Sequence, residues 1–248
     1  MEFRNALLAC LRVPQLRAVF AVVLSLIVAV RYRDASAEDT SRLFVFASTD
    51  TRAYTFEQEL RSEMPGVDVR VFSRLREFEQ AVAKDKPDAV LARPVFLESI
   101  GKIVELRGQR DGYTEEPFVL LSIGLPLKPT DLEGKTLGVV SIVGRQAMNR
   151  FVSSVLGVPP PHLKHVNSER DLLALLRFGE AQVVLLSQWS AGKFTKTSQA
   201  DLRTTVLTVG VGLPSVSFAS PSAKAKLVGK FRTLSTATNR RLGVDRWE

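Results

Sequence analysis

Four short stretches carry residue types suited to holding a small charged molecule. They are Ser48-Thr49-Asp50, Arg93, Ser141 with Gly144-Arg145-Gln146, and Ser187-Gln188-Trp189. Each follows a short apolar run and precedes a helix-period segment. That is the setting of a strand C-terminus, where hydroxyls and the unpaired amides of the next helix accept an anion. A guanidinium there can grip a carboxylate or phosphate through two hydrogen bonds. Asp50 suits an amine, and Trp189 can stack on a ligand or wall it in. Ser122 ends the run PFVLLS, while Tyr54 and Tyr113 are further wall residues. Each has a plainer role to set beside this one. Ser, Thr and Asp cap helices, an exposed arginine makes ion pairs worth under about 1 kcal/mol, and tryptophan packs.

Catalytic chemistry finds less support. His162 and His165 lie three residues apart in PPPHLKH, a spacing that suits metal ligands on a helix, but the prolines oppose a helix there. No cysteine or acidic cluster completes a zinc set. Glu115 and Glu116 adjoin, and sequence neighbours rarely form an acid/base pair. No G-x-S-x-G elbow, P-loop or G-x-G-x-x-G is present. The expectation is a binding protein with no catalytic residue, metal or cofactor.

The positioning elements follow from pattern. Apolar runs at 42–48, 67–72, 87–94 and 117–123 read as strands, and amphipathic stretches at 52–64 and 74–85 read as helices, Ser73 capping the second. A short helix near VFLESIG and a strand KIVEL lie between. A second series runs KTLGVVS (strand), RQAMNRFVSSVLG (helix ended by Gly157), a proline-enforced connector, DLLALLRFG (helix) and QVVLLS (strand). The second of these helices starts at the capping box Ser168-x-x-Asp171. LRTTVLTV is a crossing strand, and Ser220-Pro221 opens one long basic terminal helix. Two βαβ series in succession make an α/β protein with parallel sheets.

The 248-residue chain has a formal net charge of +8 and 45% hydrophobic content, ordinary for a globular protein. The positive balance favours anionic ligands, but no Lys/Arg block is interleaved with aromatics, so nucleic acid is not an expected partner. Residues 18–30 are uncharged and mostly apolar, follow Arg4, Arg12 and Arg17, and precede Ala35-Ser36-Ala37. A basic region, a short apolar core and a small-x-small site describe a secretory signal over 1–37. As a helix the core rises about 20 Å, short of the roughly 30 Å hydrocarbon layer. Arg31 and Arg33 sit before the cut, so an uncleaved anchor is the alternative. Cys10 is the single cysteine.

FVFASTD, KDKPDAVLARP, LRGQRDGYTEEPFVLLS, DLEGKTLGVVS, SERDLLALLRFGEAQVVLLS and GLPSVSFASPSAKAKLVGKFRTL, in that order, resemble the type II periplasmic solute-binding proteins. Within them the likeness is to the phosphate/phosphonate-type substrate-binding proteins of ABC transporters. DLEGKTLG is the most specific, close to a D-L-x-G-K-x-[VI] pattern that opens lobe two. The resemblance implies an α/β fold of two lobes with a ligand cleft between them: lobe one over 38–123, lobe two over 124–205, and a return to lobe one over 206–248. It implies extracytoplasmic capture of a small anionic, phosphate- or phosphonate-like solute by a monomer, closure about a hinge, and delivery to a membrane permease. One departure stands out. Where those proteins place a hydroxyl-rich turn, this chain has Ser141-Ile142-Val143-Gly144-Arg145. A membrane-associated periplasmic sensor or scaffold that uses the same fold without transport is the alternative function.

Overall fold

The computed structural model describes residues 40–47 and 52–248. The secretory-signal expectation, Cys10, and Ser48, Thr49 and Asp50 therefore lie outside the described residues. Ser41–Glu248 forms one unit. Its first sheet has the order β11-β4-β10-β3-β1-β2, from β1 (Ser41–Phe46), β2 (Val67–Phe72), β3 (Ala89–Ala92), β4 (Leu106–Gln109), β10 (Ser215–Phe218) and β11 (Arg246–Trp247). β1 pairs in parallel with β2 and β3, and β10 enters antiparallel between β3 and β4. The helices α1 (Ala53–Glu63) and α2 (Leu75–Asp85) supply the crossovers that parallel pairing of β1, β2 and β3 requires, and α3 (Pro94–Ser99) leads from β3 to β4.

The second sheet has the order β7-β6-β8-β5-β9, from β5 (Glu115–Ile123), β6 (Thr136–Val140), β7 (His162–Val166), β8 (Val183–Ser187) and β9 (Leu202–Gly212). Its helices are α4 (Arg145–Leu156), α5 (Glu169–Arg177) and α6 (Gln188–Thr197). The local start and stop signals act as the sequence implies. Ser168 accepts from the Asp171 amide, Ser220 accepts from the Ala223 amide, and Gly157 ends α4 at φ 69°. α2 instead starts beside Arg74, without a side-chain cap.

Several boundaries move. The run 117–123, read as the end of lobe one, pairs with β8 and β9 and so belongs to the second sheet. β9 stays in that sheet to Gly212, past the boundary expected at 205. Both strands cross between lobes, and their apolar residues serve the core wherever the pairing puts it. His162–Val166, read as connector, is a strand in register with β6. The prolines before it exclude helix but leave extended backbone open. The long terminal helix is two, α7 (Pro221–Arg232) and α8 (Thr236–Leu242), because Ser235 caps a fresh start by accepting from the Thr238 amide.

The hydrophobic core lies in two clusters. One fills the outer face of the first sheet, with Phe56, Leu60, Phe231 and Trp247 among its members. The other is continuous between lobes, joining Phe44, Phe78, Phe96 and Leu97 of lobe one to Phe118, Ile142, Val143 and Phe151. At the lobe-one edge the chain passes so close that glycine is required. A Cβ on Gly108 of β4 would lie 2.5 Å from the Pro214 carbonyl oxygen and against Val244. Gly108→Ala should therefore destabilise the fold by about 2 kcal/mol through overpacking. At this chain length that is a fall in Tm of about 4–8 °C, to be read by calorimetry.

Candidate functional site

The strand ends of both sheets meet at a cleft of about 330 Å³. Lobe one contributes Phe46 and Ala47 after β1, Leu91 and Arg93 at β3, and Arg110 after β4. Its C-terminal segment adds Arg240, Arg241, Leu242 and Gly243. Lobe two contributes Ile142 after β6, Glu169 at the start of α5, and Ser187, Trp189, Ser190 and Lys193 around the start of α6. Glu116 lies at the base, on β5 where the chain crosses.

A buried charge network ties this base together. The Asp111-Gly112 turn, with φ of 52° and 84°, reverses the chain so that Arg110 and Glu116 face each other. Arg93 Nη2 is 2.6 Å from Glu116 Oε1, and Arg110 Nη1 is 3.1 Å from Oε2. Arg93 also donates to the Gly212 carbonyl of β9 at 2.9 Å, and Arg110 donates to the Gly243 carbonyl. Arg93 thus links both crossing strands to lobe one. Its guanidinium lies 5.4 Å from the Phe118 ring centre. Across the cleft, Arg110 lies 4.9 Å from the Trp189 ring centre and the Lys193 ammonium lies 3.3 Å from it. These are attractive cation–π distances.

The C-terminal wall is held from behind. Thr238 donates to Glu59 and Glu63 of α1, Arg241 pairs with Glu59, and buried Asn239 accepts from the Trp247 indole at 2.9 Å. Ser187 caps α6 by accepting from the Ser190 amide, and Ser190 Oγ donates to Glu169 at 2.6 Å.

Of the residues expected from sequence, Arg93, Ser187 and Trp189 line the cleft. Ser122 does not. It lies at the far end of β5, six residues and about 20 Å from Glu116, and donates to the Leu125 carbonyl. Ser141 turns to His165, with Oγ 3.2 Å from Nδ1. Arg145 lies in an outer groove with Asn149 and His165. Gly144 and Gln146 do not line the cleft, and Gln188 and Tyr54 are exposed away from it, as is Tyr113. The loop's cleft residue is Ile142. Val143 is buried, and a Cβ on Gly144 would lie 3.8 Å from Glu79 of α2, whose carboxyl burial raises above its ordinary value.

Sequence reading missed Arg110, Glu116, Glu169, Ser190, Lys193, Arg240 and Arg241. Asp111-Gly112 was the signal for the first two, since a tight reversal brings its flanks together. The last two were absorbed into a basic helix with no sign that it folds back to the cleft. The histidines sit on a sheet edge, and the described residues hold no cluster of three metal-binding side chains.

Two outcomes follow. Glu116→Ala leaves two largely buried arginines facing each other, so unfolding free energy should drop by about 3–5 kcal/mol in denaturant titration. Burial first, and the Arg145 charge second, hold His165 below its ordinary 6.5. The unfolded chain then binds the proton more readily. The stability this group contributes is complete above 6.5 and is lost as pH falls from there through the folded-state value. His165→Asn should lose less stability than the parent between about pH 7.5 and 5.5.

No protein-family model matches the sequence, and no curated protein matches it. Solved structures do match in fold. XAC2383 from Xanthomonas citri, bound to chloride ion, gives a TM-score of 0.63 at 12% identity, over 84% of this chain and 91% of that one. A mutant of ArgBP from T. maritima gives 0.57 at 15%, over 84% and 96%. The BvgS periplasmic VFT2 domain of Bordetella pertussis gives 0.54 at 14%, over 86% and 97%. With two α/β sheets joined by crossing strands and a cleft at their strand ends, the chain has the two-lobed fold of the periplasmic solute-binding proteins.

Proposed function

We propose that the chain is an extracytoplasmic solute-binding protein that captures a small anionic solute in its cleft and presents it, as a monomer, to the permease of an ABC importer. The observation that carries this reading is the charge of the cleft, where Arg93, Arg110, Lys193, Arg240 and Arg241 outnumber Glu116 and Glu169 among the described residues. Binding at strand C-termini between lobes is the general behaviour of such sheets. Among the structures of similar fold, XAC2383 was also solved bound to ATP, another anion, whereas ArgBP was solved bound to arginine. The anion reading no longer leans on the Ser141 loop, which points elsewhere, so a phosphate- or phosphonate-specific turn drops out of the argument. No catalytic role is assigned. Among the described residues no helix is long and apolar enough to cross a membrane.

A second reading, a periplasmic sensor or scaffold without transport, draws on Ile142 and Val143. They lie in the cluster that joins the lobes, so apolar contact favours closure without a solute. One experiment separates the two. Calorimetric titration with phosphate, succinate, arginine and glucose is run beside small-angle scattering with and without each compound. Saturable binding of an anion together with a compaction supports capture. A closed form that binds none of them and does not change shape supports the scaffold and sinks capture.

A further inference from the structure

The cleft's charges are not equivalent, and the difference points to a ligand class. Glu116 already pairs with Arg93 and Arg110, and Arg241 pairs with Glu59 of α1. Lys193 lies over the Trp189 ring, and among the described residues neither it nor Arg240 makes an ion pair. Once Arg241 and Glu59 are paired off, four cations (Arg93, Arg110, Lys193, Arg240) face two carboxylates (Glu116, Glu169) among the described lining. The lining thus carries a net surplus of two positive charges. Its two cations with no ion pair to a described residue come from opposite walls, Arg240 from α8 of lobe one and Lys193 from α6 of lobe two. The same lining includes apolar Phe46, Leu91, Ile142, Pro214 and Leu242.

We propose that the cleft takes a short aliphatic dicarboxylate, one carboxylate held by Arg240 on lobe one, the other by Lys193 on lobe two, with the hydrocarbon middle against the apolar lining. A compact dianion such as phosphate would satisfy the charge but leave the apolar wall bare, and a cationic solute would add to an existing surplus. Arg240's guanidinium suits a planar carboxylate, and the Lys193 ammonium is a point charge on a flexible stem. Because its ends sit on different lobes, the ligand would draw the lobes together as it neutralises them. This deepens the anion-capture reading and rests on it.

The test is calorimetric titration of the full chain with succinate, butyrate, inorganic phosphate and arginine. The proteins compared are the parent, Arg240→Ala, Lys193→Ala and Lys196→Ala, which removes a charge from the same helix outside the cleft. Both cleft positions are exposed, so the variants should fold, and their melting temperatures check it. Succinate should bind saturably, and butyrate, with the same four-carbon chain but one carboxylate, at least about tenfold more weakly. Each cleft variant should lose about tenfold for succinate and recover nothing for butyrate, while Lys196→Ala stays within about twofold. Succinate affinity untouched by both cleft variants, or butyrate equal to succinate, overturns the dicarboxylate assignment. So does preference for phosphate or arginine, although solute capture then stands. No heat with any of the four overturns both readings.

Discussion

The Glu116 carboxylate is the point on which the two lobes depend. It is buried on the first crossing strand and receives one guanidinium from the end of β3 and one from the turn after β4. Arg93 then reaches the second crossing strand through the Gly212 carbonyl. A buried ion pair seldom adds much net stability over an apolar substitute, because desolvation offsets the attraction. What it fixes is geometry. A carboxylate with two fixed guanidinium partners has few alternative positions. The strand that passes between sheets is thereby held in one register while the lobes it connects remain separate layers. The glycines nearby serve the same end. A Cβ on Gly212 would lie 2.6 Å from Pro94, so β9 can approach lobe one only without a side chain there.

The same network explains why the most suggestive arginine is not the obvious anion reader. Arg93 sits where a ligand guanidinium belongs, yet a carboxylate of the chain itself already occupies its fork. A solute anion binding there would have to displace Glu116, already 2.6 Å from the guanidinium. Cations without carboxylate partners among the described residues do not face that competition, and Lys193 and Arg240 are both exposed. The charge that defines the base of the site and the charge available to a solute are therefore different charges.

Much of this architecture was legible in the sequence, and the reasons differ by element. Ser168-x-x-Asp171, Gly157 and Ser220-Pro221 are local signals whose physics acts within one turn, so they hold whatever the tertiary context. The alternation of strands and helices gave the α/β class. The lobe boundary was less legible, because 117–123 is apolar whichever sheet it joins. β7 was missed since HLKHV has neither clean alternation nor an apolar run; it is an edge strand, and its partner β6 supplies the order. For the site, strand ends could be found by pattern, but side-chain direction could not. Ser141 and Ile142 are neighbours just past the end of β6, where the chain bends and no strand or helix period tells which way each side chain points. The hydroxyl went to His165 and the aliphatic to the cleft. Arg240 and Arg241 carried no local mark, because what brings them to the cleft is the tertiary docking of α8 through Thr238 and Asn239.

The loop at 141–144 shows how the interface between lobes can be served by residues that look like losses at a binding site. Hydroxyls there would give a ligand donors but leave the lobe contact wet. Ile142 and Val143 instead bury apolar surface against a cluster that already contains Phe78 and Phe96 from lobe one. At about 25 cal/mol per Å², even part of two aliphatic side chains contributes on the order of 1–3 kcal/mol to closure. Glu79 works against this. Its carboxyl faces the loop in a setting where burial disfavours the charge. Closure is therefore an apolar gain set against a desolvated carboxylate, and a solute bridging Arg240 and Lys193 would add to the favourable side. A ligand shifts such an equilibrium only by its differential affinity for the closed form, and contacts on both walls exist only there.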